Sequence, residues 1–141
     1  MRLISAALAL SLLAGCSSWR PDAQYVRLVP EDRLLSHQQA RDSGGQIQVT
    51  RDFGGMGSGC YIAVLVDRQL AARIGVGEQA SFQVPVGTRV LGIGIDPLDD
   101  TLCGMGRLRR ELAVRVEAGS QQQFRIISQN RGGFDILPIE P

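Results

Sequence analysis

Residues 46–53 read Gln46-Ile47-Gln48-Val49-Thr50-Arg51-Asp52-Phe53. Apolar Ile47 and Val49 alternate with polar Gln46, Gln48 and Thr50. A period of two returns the side chains of an extended chain to the same face, so this stretch predicts a strand with one buried side. The same parity carries Arg51 and Phe53 inward. A guanidinium removed from water needs partners, so Arg51 is expected to be structural and held by Asp52, Asp67 or another carboxylate.

Working downstream, glycine and proline punctuate a series of similar stretches. The apolar run 60–66 suits a central strand, and Asp67-Arg68 can turn the chain into 69–74. Strands follow at 79–84 and 88–95, separated by Gly75-Val76-Gly77 and Pro85-Val86-Gly87. Over 107–117, Leu112, Val114 and Val116 alternate with Glu111, Arg115 and Glu117, which gives a strand with one wet face. Turns at Glu117-Ala118-Gly119-Ser120 and Asn130-Arg131-Gly132-Gly133 lead into 121–128 and 134–139. The expected fold is all-β: a single antiparallel β-sandwich of seven to eight short strands over residues 46–141.

Upstream of Gln46 the reading changes. Arg2 precedes an apolar run, residues 3–13, that is too short to span a bilayer, which takes roughly 20 residues. It has the outline of a signal peptide occupying residues 1–15. The run ends Leu13-Ala14-Gly15-Cys16, which resembles the lipobox of bacterial lipoproteins. A thiol can take a diacylglyceryl group as a thioether, and small residues before it give a peptidase access to the bond. The resemblance implies lipidation at Cys16 and a membrane partner reached through that lipid. Ser17, where Asp would favour inner-membrane retention, implies the outer membrane, with the domain on the periplasmic side. Residues 16–45 are polar, with Pro21 and Pro30, and read as a lipidated tether. Within it, Pro30, Glu31 and Asp32, then Leu34, Leu35 and Gly44-Gly45, predict a short helix carrying His37 and Arg41.

Composition closes several chemistries. Removing the leader leaves about 126 residues, enough for one domain. The 15 basic residues are all arginine, the 14 acids nearly balance them, and His37 is the lone histidine. Without lysine there is no Schiff base and no P-loop lysine, and a near-neutral surface gives no reason to expect nucleic acid. No cofactor and no metal are expected, and the expected class is non-enzymatic.

Two cysteines remain beyond Cys16. An exported chain favours a bridge between Cys60 and Cys103, against two buried thiols or a metal pair. Closing a loop of about 44 residues would stabilise the fold by up to about 4 kcal/mol in the chain-entropy treatment. The bridge would bring two loops together. One is glycine-rich (Gly54, Gly55, Gly57) and could cradle an anion, or simply serve as a tight connector. The other carries Asp96, Asp99 and Asp100, which could hold calcium or form an acid pair, or simply be a solvated turn. Together these are the candidate binding-loop residues. Arg107, Arg109 and Arg110, interspersed with Glu111, read as a solvated strand face.

The segments Val49-Thr50-Arg51-Asp52, residues 61–67 before 69–73, and Phe82-Gln83-Val84-Pro85-Val86-Gly87 carry a resemblance. So does Glu117-Ala118-Gly119-Ser120 with Phe124. Together they resemble a bacterial lipoprotein family with PEGA-like β-sandwich domains, over residues 46 to about 128, departing from its turn pattern at Val86 and Thr88-Arg89. The resemblance implies a fold and a compartment and no substrate. The function expected is a structural or protein-interaction module of the cell envelope. The alternative is a module binding peptidoglycan or another carbohydrate, although few aromatic residues are available as sugar platforms.

Overall fold

The computed structural model of the chain describes residues 17–54, 59–129 and 133–140. Cys16, Gly55 and Gly57 lie outside the described residues.

The chain is all-β and builds two sheets. The strands are β1 (Arg27–Leu28), β2 (Gly45–Arg51), β3 (Ile62–Val66), β4 (Gln69–Ile74), β5 (Glu78–Val84), β6 (Gly87–Ile95), β7 (Arg109–Val116), β8 (Gln121–Gln129) and β9 (Gly133–Pro138). One sheet has the order β1-β5-β2-β8-β9 and the other β4-β3-β6-β7. All eight stretches expected as strands form, because each combines an apolar face with turn residues at its ends. Ile47, Val49, Phe82, Val84, Phe124 and Ile126 of the first sheet join Ile62, Val64, Val66, Leu91, Ile93 and Val114 of the second in a single hydrophobic cluster.

The all-antiparallel expectation needs correction. β1 lies parallel to β5, and β2 lies parallel to β8 with Val49 opposite Phe124. Alternation tells which face of a strand is buried; it does not tell which strand becomes its neighbour or in which direction. Because β2 and β8 are parallel, both strands finish at the same end of the sheet.

The segment expected as a tether is, from Ser18 onward, part of the folded unit. Val29 is only 4% exposed and sits in the core, and its N–H bonds the carbonyl of Gln79 at 3.0 Å. The expected short helix is replaced by isolated three-residue 3₁₀ turns, Ala23–Tyr25 and Glu31–Arg33. After the second turn Leu34 bridges Ala72, and the N–H of Leu35 bonds the carbonyl of Ala71 at 2.8 Å, so pairing with β4 pulls the chain out of helical geometry. His37 and Arg41 therefore stand on extended and irregular backbone. His37 has a φ of 61°, and its carbonyl accepts the N–H of Gln83 at 2.7 Å.

The β3–β4 hairpin turns on Asp67 and Arg68, both with positive φ, 49° and 64°. Such a two-residue turn usually takes Asn-Gly. Here Asp67 is held from outside the hairpin: its carboxylate accepts the N–H of Val90 at 2.9 Å and pairs with Arg89 at 3.1 Å.

Candidate functional site

Cys60 and Cys103 form the expected disulfide, with Cα atoms 5.4 Å apart. It joins the residue pair preceding β3 to the 3₁₀ turn Leu102–Gly104 in the loop between β6 and β7. Arg51 lies directly behind this bridge. It is 2% exposed, and its Nη1 donates to the carbonyl of Cys60 at 2.6 Å and to that of Ile74 at 3.0 Å, while its guanidinium stands 5.1 Å from the Phe134 ring centre. Burial pushes its pKa down to about 10, opposed by nearby Glu78, and the group stays protonated at neutral pH. Of the carboxylates expected to hold Arg51, Asp52 and Asp67 are engaged elsewhere. Asp52 closes on Arg125, and Asp67 on Arg89.

The acidic loop does not gather its carboxylates. Asp96 is buried and takes a two-pronged ion pair from Arg73, Nε to Oδ1 at 2.8 Å and Nη2 to Oδ2 at 2.7 Å. Burial alone would raise its pKa. The Arg73 bonds, the N–H of Leu98 and the nearby positive charge outweigh that and hold the carboxyl below its ordinary value. Asp99 is taken up by the backbone N–H and hydroxyl of Thr101, and Asp100 is exposed. The bridge thus brings the loop to the Cys60 corner without making an acid pair there. Among the described residues, no three His, Cys, Asp or Glu side chains are grouped so as to hold a metal ion.

Gly54, the described member of the glycine-rich loop, has a φ of 76° and lies against the ring of Trp19, which occupies the space a Cβ would need. Its glycine character serves that close approach and the left-handed backbone. Nothing at Gly54 points to anion binding.

Beside the disulfide runs a polar ladder that single-residue reading did not reveal. Glu78 receives both prongs of Arg33, at 2.8 and 2.7 Å, and the N–H of Gly75 at 2.6 Å. Arg33 lies over the Tyr61 ring, 4.2 Å from its centre, and Arg73 lies over the same ring at 5.2 Å before reaching Asp96. These are charge-assisted and cation–π contacts at a half-buried surface. Tyr61 is 38% exposed, yet its ring is engaged by two guanidinium groups, which weakens it as a platform for a sugar. The ladder braces the N-terminal segment to both sheets.

A second feature lies on the face of the β4-β3-β6-β7 sheet that turns away from the core. Leu65 pairs with Gly92, and Ala63 with Gly94. These residues, with Leu70, Val90 and Leu108, line an apolar groove of about 290 Å³, rimmed by Arg68, Arg109 and Glu111. With no side chains of their own, the two glycines form a shallow part of its wall, with Glu111 near Gly92 and Leu65 near Gly94. β3 is apolar on both parities, so its outward residues Ala63 and Leu65 add a second apolar face to the one that joins the core. Arg109 at the rim pairs with Glu111 at 3.2 Å, in keeping with a solvated strand face.

Among the described residues, no helix is long and apolar enough to cross a membrane. Comparison with protein-family models and with curated proteins finds no match.

Proposed function

We propose that this chain is a lipid-anchored protein of the bacterial cell envelope, held in the outer membrane on the periplasmic side through Cys16. Its domain, a β-sandwich, is a structural or protein-interaction module and not an enzyme. Leu13-Ala14-Gly15-Cys16 after a short apolar run supports the anchor. The observation that carries the interaction role is the groove lined by Ala63, Leu65, Gly92 and Gly94, apolar within and charged at its rim, the composition of a small protein-binding surface. Of the loop carboxylates considered for an acid pair, Asp96 is paired with Arg73 and Asp99 accepts from Thr101, while Asp100 is exposed.

The groove can be filled without disturbing the core. A Cβ added at Gly94 meets its neighbours no closer than 3.5 Å, so Gly94→Leu projects into the groove. The purified domain, mixed with outer-membrane extract and with isolated sacculi, should retain an envelope protein that Gly94→Leu releases while its melting temperature is preserved. Retention on sacculi alone, unaffected by Gly94→Leu, would replace this reading with the carbohydrate-binding one.

A further inference from the structure

The start of the folded unit lies two residues from the lipobox cysteine. Ser18 is tied down on two sides: its Oγ accepts the N–H of Ser128 at 2.8 Å and donates to Asp52 at 2.9 Å. Asp52 is buried and paired with Arg125. Trp19 then exchanges two backbone hydrogen bonds with Phe53, each 3.0 Å. Because β2 and β8 run parallel, the residues that follow β2 and those that end β8 meet at one end of the sheet, and the chain enters the domain there.

Two residues of extended chain span at most about 7 Å. A diacylglyceryl group on Cys16 places its glycerol at headgroup depth, so Ser18 cannot stand away from the bilayer. The sheet end that carries it must approach the lipid surface. At that end sits Trp19, the one tryptophan of the chain, 61% exposed although its backbone is fixed. Its ring packs at a tilt against Phe53, with centres 6.4 Å apart, and over Gly54, so its position is set by the domain. A large amphipathic ring favours the headgroup layer, where its apolar body and its N–H are both accommodated. Arg20 beside it can extend toward phosphate while its stem covers apolar surface.

From these relations we infer that Trp19 is a membrane contact: lipid on Cys16 seats the sheet end formed by Ser18, Trp19, Phe53 and Ser128 on the bilayer surface, with the Trp19 ring in the headgroup layer. The inference rests on the lipid-anchor reading. The domain is then held flush with the membrane and oriented by it, with no flexible spacer between them.

As the sole tryptophan, Trp19 reports its own position. The full chain, extracted from membranes and reconstituted into phosphatidylethanolamine–phosphatidylglycerol vesicles, should show emission shifted to the blue of the Cys16→Ala chain. It should lose at least half its intensity when the vesicle lipids carry bromine near the headgroup end of the acyl chains, and less when bromine lies deeper. The Cys16→Ala chain should keep its intensity. Intact mass separates the two levels of the proposal. A diacylated chain whose Trp19 stays unquenched overturns the seating and leaves the anchor. An unacylated chain overturns both. Equal quenching of Cys16→Ala would also overturn the inference, since the distance to Cys16 would then not be what sets the contact.

Discussion

The hydroxyl of Ser18 donates to the carboxylate of Asp52 across 34 positions of sequence, and Asp52 is closed on its other side by Arg125. This joint makes the N-terminal segment part of the cooperative unit. Ser18→Ala should therefore lower the free energy of unfolding by about 1 kcal/mol, read from the urea midpoint at constant slope. Asp52→Ala should cost about 2 kcal/mol, since it leaves Ser18 and a partly exposed Arg125 without their acceptor. A loosely attached segment would give no change for Ser18→Ala.

Acid should reach the fold through Asp96. Its folded carboxyl titrates below the ordinary value of 3.8, so its contribution is complete above that pH and is lost as pH falls through the folded pKa. Urea midpoints of the wild type should drop more steeply below about pH 4 than those of Asp96→Asn, which should be the less stable chain at pH 7. Parallel acid limbs would remove Asp96 as a source of the dependence.

Replacing Cys60 and Cys103 together by serine should destabilise the domain by up to about 4 kcal/mol. The effect has two parts: the constraint on the unfolded chain is lost, and the Cys60 carbonyl that accepts from Arg51 is no longer pinned. Differential alkylation before and after reduction, followed by mass measurement, reads the bridge in the wild type.

Gly54→Ala should destabilise by about 1–2 kcal/mol, because the backbone is left-handed there and the added methyl meets the Trp19 ring. The displaced ring gives a second readout: tryptophan emission of the variant should differ from wild type under native conditions and coincide with it in denaturant.

How far the sequence reveals this arrangement depends on the range of the interactions involved. Gln69–Ile74 matches the strand expected from its pattern end to end, because Asp67-Arg68 and Gly75 bound it locally. Arg51 was legible as buried because parity is a local property, but its partners were not, since the Cys60 and Ile74 carbonyls arrive through tertiary structure. Arg27–Leu28 could not be seen as a strand: it has two residues, both exposed, and exists by pairing with β5. The ladder joining Glu78, Arg33, Tyr61 and Arg73 escaped for the same reason, with Arg33 and Glu78 lying 45 positions apart. The groove escaped because glycines in a strand carry no periodic signal, and the outward direction of Gly92 and Gly94 follows only from register with Leu65 and Ala63.

The anchor on which the functional reading depends is tested most directly by mass spectrometry of the N-terminal peptide of the protein extracted from bacterial outer membrane. The expected chain begins at Cys16 and carries a thioether-linked diacylglyceryl group, with residues 1–15 removed. A chain cleaved elsewhere, or one beginning at Cys16 with an unmodified thiol, would contradict it.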